Sequence, residues 1–373
     1  MKALILGTLA GQVDAIEALK SRGVETHACG HRQQGPGVEA AHAFHLVDIT
    51  DIDAVTILCR RIQADFLYSV GSDIAMPTVV AVSERLGLPH FHGTELTDLL
   101  RGKQKLRKVL DKAGLNLVDY DSFLPGEDVT RWNQFPCIIK PVDSQGQRGI
   151  SVIRSKQELV PAVDVAFKES ISGPVIIEEF LEGPEVSAHV IVVDGEIKFF
   201  MPSDRFVWHG PLVGIPSGHA VPLRNETAAA YDDLKDLVER IVPVLNVEEG
   251  PLYVQAIITE KGPRVIEIAS RLDGCHLWRL LAMATGVDLL DIILGRLMGE
   301  AWPELLPNYK VEPMRLDFAL GSPDVVVTEE YAENLFSKSA LYSELQVEIG
   351  TQPRDTNGIV SRIGYEIYRV GQE

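Results

Sequence analysis

The sequence predicts a parallel α/β domain followed by a two-lobed α+β domain and a small β-containing C-terminal region. Three observations carry this. Up to about residue 92, continuous apolar runs alternate with amphipathic stretches, the rhythm of strands and crossover helices. From about Phe135, apolar runs are instead joined by hairpin-like turns. At 373 residues, the chain is also too long for a single ordinary core.

In chain order, Ala3–Leu6 reads as a strand, Val13–Arg22 as a helix and Val24–Cys29 as a second strand. Ala54–Ile62 follows as a helix, Phe66–Val70 as a strand and Ile74–Leu86 as a helix, and Gly87-Leu88-Pro89 ends the unit. The turn Gly7-Thr8-Leu9-Ala10-Gly11 resembles a dinucleotide-binding loop. The second strand, however, runs into Cys29-Gly30-His31 with no acid for a ribose, so no nicotinamide site is assigned. A helix is expected from Lys103 to Ala113, stopped by Gly114. Strands are expected at 136–141 and 175–178, and at 187–193 and 196–201 around Asp194-Gly195. Leu252–Thr259 and Arg264–Ala269 form another hairpin, and Asp204–Pro222 reads as a long irregular segment. The expected boundaries are 1–92, 93–300 (with a small lobe at about 115–180) and 301–373 packing on the large lobe.

Composition narrows the function. A hydrophobic fraction of 46% with 24% charged residues is that of a soluble globular chain. A formal net charge of -18 argues against a nucleic-acid partner, which needs a basic footprint. No apolar run approaches a membrane span, and the opening run breaks at Gly7, which suits a buried strand better than a leader. Cys29, Cys59, Cys137 and Cys275 show neither metal-ligand spacing nor a pairing pattern, so reduced thiols and a cytoplasmic location are expected.

Three clusters carry chemistry. Lys140 ends an apolar strand and precedes Asp143-Ser144-Gln145-Gly146-Gln147-Arg148-Gly149. This is either a cation beside a phosphate-closing loop or a solvated hairpin lysine. Glu178 and Glu179 follow an apolar strand and fit either a purine and ribose or a polar strand end. Alternation along 265–271 puts Glu267, Ala269 and Arg271 on one face. A three-residue loop at Glu260–Gly262 would then set Gln255 opposite Glu267. Hard oxygens there suit magnesium, and Arg271 suits phosphate or carboxylate. Beyond these, His276 reads as a structural histidine capping Leu277–Thr285, with a substrate-site base as the other reading. Arg205, His209 and His219 suit an anionic substrate or a solvated loop.

The order of these features resembles the ATP-grasp superfamily of carboxylate–amine ligases. Its members include L-amino-acid ligases, the carbamoyl-phosphate synthase large chain, D-alanine–D-alanine ligase and biotin carboxylase. The resemblance covers roughly residues 1–300 and implies several roles. Lys103 and Lys140 would hold the ATP phosphates under a lid of Ser144, Gln145, Gly146 and Gly149. Glu178, Glu179 and Leu181 would frame the adenine, and Glu185 would bind the ribose. Glu267 and Gln255 would hold magnesium or manganese, and Arg271 would act with Lys140 in catalysis. It implies a ligase that makes an acylphosphate from ATP and a small-molecule carboxylate, then passes it to an amine or thiol, in a chain that pairs as a homodimer. Relatives carry an acid where Gln255 stands and an asparagine where Ala269 stands. The alternative is therefore a catalytically degraded ATP-binding sensor.

Overall fold

The computed structural model describes residues 1–115, 117–142, 149–170, 173–210, 212–305, 310–355 and 357–371. Strands β1 (Lys2–Leu6), β2 (Glu25–Gly30), β3 (Ala43–Leu46) and β4 (Phe66–Tyr68) form a parallel sheet in the order β3-β2-β1-β4. β1 reads as an unbroken apolar run because both its faces are covered. Ala3 and Ile5 pack with Ile16 and Leu19 of helix Ala10–Ser21 and with Leu281 and Ile293 from later helices. Leu4 and Leu6 pack with Leu58 and Val79 on the other side. β3 went unread in the sequence because its residues are only half buried and carry no apolar run.

The small lobe is an antiparallel sheet of β5 (Tyr120–Phe123), β6 (Cys137–Pro141), β7 (Ser151–Ile153) and β8 (Val175–Glu179), ordered β5-β8-β6-β7. Helix Lys156–Glu169 covers one face through Leu159, Val163 and Ala166.

The large sheet has eight antiparallel strands, β9 (Glu185–Val193), β10 (Glu196–Val207), β11 (Pro216–Val221), β12 (Gly250–Thr259), β13 (Gly262–Ala269), β14 (Met314–Gly321), β15 (Tyr342–Leu345) and β16 (Ser361–Arg369). Their order is β13-β12-β9-β10-β11-β14-β16-β15, so the C-terminal stretch continues the same sheet. The β9–β10 hairpin turns at Asp194-Gly195, both with positive φ, as the sequence suggested.

β9 shows what this sheet is for. Val186, Ala188, Val190 and Val192 join the core under helices Lys103–Lys112 and Tyr231–Val244. Ser187 and His189, on the opposite face, are equally buried. A polar face without water access is costly unless its groups are paired or used. This also explains one misreading. Asp204–Val207 and Pro216–Val221 belong to strands, not to a long irregular segment, and among the described residues only 208–210 and 212–215 between them lie outside strands. Polar residues on that buried face masked the strand signal.

Candidate active site

Helix Lys103–Lys112 lies between the lobes and turns Leu106, Arg107 and Leu110 inward. Arg107 and Lys140 clamp one carboxylate. Arg107 Nε donates to Glu178 Oε1 and Lys140 Nζ to Glu178 Oε2, each at 2.7 Å. Arg107 Nη1 also donates to Val265 O at 2.7 Å, tying β8 to β13 and thus the small lobe to the large sheet. Burial pushes the Glu178 carboxyl up, but the two cations outweigh it and hold the group well below the usual carboxylate range. The Glu178 side chain is therefore occupied. Next to it, the backbone N–H groups of Glu179 and Phe180 bond to Asp119 O and Pro136 O. No described hydrogen bond uses the Leu181 N–H. The Glu179 carboxylate accepts from Asp119 N at 3.0 Å.

Lys103 opens the helix half-buried, with no carboxylate partner among the described residues. Ser144, Gln145 and Gly146 lie outside the described residues. Gly149 has φ +71°, and a Cβ on it would come within 2.9 Å of Pro141 Cγ, so the backbone at Gly149 lies tightly against the end of β6.

On the large sheet, Gln255 does face Glu267, by a different route from the one expected. The turn has two residues, Thr259 pairing with Gly262, and a bulge that leaves Ile266 unpaired restores the register. Gln255 Nε2 donates to Glu185 Oε2 at 2.9 Å, and Arg205 pairs with the same carboxylate. Glu267 has no partner among the described residues, and no described bond falls on the Gln255 side-chain oxygen. A carboxylate and an amide oxygen side by side fit a hard divalent cation. Ala269, buried opposite Tyr253, adds no ligand.

Arg271 is held from the first domain. Its Nε and Nη2 donate to the two Asp73 oxygens at 2.5 Å each, a bidentate pair. Burial alone would lower its pKa, but Asp73 and then Glu267 keep it firmly protonated. The approach needs Gly71, whose φ is +59° and whose Cβ would sit 2.6 Å from Gly274 Cα.

His276 occupies the N-cap position at φ 57° but makes no capping bond, which corrects the capping role. Its ring contacts Asp14 Oδ2 at 3.3 Å and Gln346 Nε2 at 2.9 Å and stacks on Tyr365. His219 and Arg205 are buried strand residues rather than loop charges. Sequence reasoning missed Arg107, Asp73, His189 and Asp273. Arg107 announces itself only as an arginine on the apolar stripe of a helix, and Asp73 as an acid just past the carboxyl end of a parallel strand.

A small antiparallel lobe thus faces the polar side of a large sheet across a lysine-bearing seam, braced by a parallel α/β domain. Residues 102–275 match the family model described as an ATP-grasp domain. One curated relative is a formate-dependent phosphoribosylglycinamide formyltransferase of Methanocaldococcus jannaschii, 28% identical over 48% of this chain and 48% of that one. Another is a phosphoribosylamine–glycine ligase of Methanococcus maripaludis, 26% identical over 78% of this chain and 72% of that one. The chain thus spans about half the length of the first of these relatives. Among solved structures, L-amino acid ligase from Bacillus licheniformis superposes with a TM-score of 0.77 at 18% identity, covering 99% of this chain and 93% of that one. The biotin carboxylase domain of Hydrogenobacter thermophilus 2-oxoglutarate carboxylase, solved with MgADP and bicarbonate, gives 0.79 at 17%, covering 99% and 86%. At these identities the structures speak for a shared fold. Among the described residues, no helix is long and apolar enough to cross a membrane.

Proposed function

We propose that the chain is an ATP- and magnesium-dependent carboxylate–amine ligase working through an acylphosphate. The observation that supports this reading is that Arg107 ties the Lys140–Glu178 pair to β13, the strand whose Glu267 faces Gln255 and which leads on to Arg271. Lys103 and Lys140 bind the phosphates, and the Leu181 N–H meets the adenine edge. The Glu185 carboxylate, steadied by Arg205 and Gln255, meets the ribose. Glu267 and Gln255 would hold the magnesium ion, which supplies charge neutralisation at the phosphates.

The substrate carboxylate oxygen attacks the γ-phosphorus of ATP, the bond to the bridging oxygen breaks, and ADP leaves. The amine nitrogen then bonds to the acyl carbon, phosphate leaves with the former carboxylate oxygen, and the nitrogen gives up a proton. Arg271, fixed by Asp73, faces the oxyanion that develops at the acyl carbon. Closure of the 144–149 loop would keep water from the acylphosphate.

Ala269 favours a second reading, an ATP-binding sensor with a weakened metal site. ADP release from Mg-ATP, measured across small carboxylic acids and amino acids singly and in pairs, separates the two. Stimulation by an acid, increased by an amine, supports the ligase. Calorimetric ATP binding with no stimulation supports the sensor.

A further inference from the structure

The segment between β13 and helix Leu277–Thr285 carries Arg271 near one end and His276 at the other. An acid of the first domain grips each of them: Asp73 holds Arg271, and Asp14, on helix Ala10–Ser21, holds His276. His276 is 3% exposed and sits at φ 57°, a conformation that persists only where its surroundings fix it.

The protons on this ring follow from its partners. Asp14 Oδ2, an acceptor, lies 3.3 Å from Nδ1, so Nδ1 carries a hydrogen. Gln346 Nε2 lies 2.9 Å from His276 Nε2 and 3.2 Å from Glu344 Oε1. Turning that amide over would set its oxygen against the Glu344 carboxylate, so its nitrogen faces both groups and gives one hydrogen to each. His276 Nε2 therefore presents a lone pair, and the ring is neutral. With Nδ1 given to Asp14 and Nε2 taken by Gln346, neither nitrogen is left to serve a substrate as a base.

The neighbours hold the two acids in turn. Asp14 also accepts from Trp278 Nε1 at 2.9 Å and Arg279 Nη2 at 2.5 Å. Glu344 Oε2 accepts from the Tyr342 and Tyr365 hydroxyls at 2.8 and 3.0 Å, and Tyr365 stacks on the His276 ring. Asp14, His276 and Glu344 bring ligand-type atoms within 4.8 Å of one another, but Arg279, 4.0 Å from Glu344, already brings positive charge to both acids. Gln346 is itself anchored, its N–H donating to Ile363 O at 2.8 Å. A proton added at His276 Nε2 would face the Gln346 amide hydrogens, and that amide cannot turn its oxygen to meet it without opposing Glu344. Such a lost buried hydrogen bond costs about 1–3 kcal/mol, and the displacement falls on the segment that carries Arg271.

We propose that His276 is a positioning residue, its neutral ring tying Asp14 of the first domain to Gln346 of the C-terminal strands and thereby holding Arg271 in its working place. That Arg271 works on an acyl group rests on the ligase reading, whereas the clamp itself does not.

The test is turnover of the full chain with Mg-ATP, an accepted acid and an amine, followed from about pH 5.5 to about pH 9, across the ordinary histidine range. His276→Ala should lower kcat about tenfold or more and leave KM for ATP within about twofold, since a misplacement of about 1 Å at a reacting group can cost about a hundredfold. His276→Asn should restore most of that loss, because asparagine accepts φ 57° and its amide still donates to Asp14. It should also lack the fall in kcat towards low pH that the neutral clamp predicts for the wild type. Gln346→Ala, at a half-buried position, should act in the same direction as His276→Ala and replaces it if that variant does not melt cooperatively. Full turnover in the alanine variants, or the wild-type acid limb persisting in His276→Asn, would overturn the proposal. A wild type that turns over no acid would sink the ligase reading alone, and the NMR signal of the Arg271 Nε–H then decides. Slow exchange in the wild type and His276→Asn with fast exchange in the alanine variants supports the clamp, and equal exchange in all of them overturns it.

Discussion

Glu178 accepts from Arg107 and Lys140 at 2.7 Å each, and Arg107 reaches on to Val265 O. Three buried charges thus hold the Lys140 side chain in place and the two lobes together. Removing one partner of such a cluster strands the others, so Arg107→Ala should cost about 3–5 kcal/mol in urea unfolding. A loss under about 1 kcal/mol would mean the cluster is not the joint described. Because the Glu178 carboxyl is held below its unfolded value, its contribution is present at neutral pH and fades as the medium acidifies past that value. Asp73→Asn should leave Arg271 less firmly aimed and lower kcat more than it changes KM for ATP. Equal turnover in this variant would separate Arg271 from the chemistry. Lys140 and Glu267 were legible in the sequence because each is a charge inside an apolar strand. Arg107 was not, since a charge on an amphipathic helix ordinarily reads as solvated.

At the scale of elements, two bulges set which residues share the polar face of the large sheet. Ile266 slips out of register so that Gln255 meets Glu267, and Ile363 does the same so that Arg362 turns toward His219. A bulge is one extra residue, and nothing in composition marks it, which is why the predicted hairpin had the right partners and the wrong turn. The Gly71 loop is equally particular, with φ +59° and Gly274 against it. Gly71→Ala should destabilise the chain by about 1–3 kcal/mol and loosen Asp73 from Arg271. Differential scanning calorimetry reads the first effect and turnover the second. A variant that matches the wild type in both would show that the loop does not brace the site. Strands β10 and β11 were partly misread because their inward residues, Arg205 and His219 among them, are polar; hydrophobic alternation fails where a buried sheet face is polar.

Across the whole molecule, the parallel and antiparallel halves were legible from the change in apolar patterning. The continuation of the large sheet through β14, β16 and β15 was not. It pairs Val221 with Met314, and no local signal encodes a partner that distant. The buried polar interior makes the chain sensitive to acid. Burial lowers His92 and His189 to about 4 and His219 to about 3. Unfolded histidines titrate near about 6.5, so the unfolded chain takes up protons that the fold refuses as pH falls below that value. The urea midpoint should therefore drop between pH 7.5 and pH 5, and His219→Asn should shrink the drop; a midpoint flat over that range would contradict the neutral buried rings. The most direct measurement of the central claim is to supply an accepted acid with heavy oxygen in its carboxylate, together with Mg-ATP and an amine. An acylphosphate route predicts one heavy oxygen in the released phosphate. Phosphate free of label, from a reaction that still makes product, would contradict it.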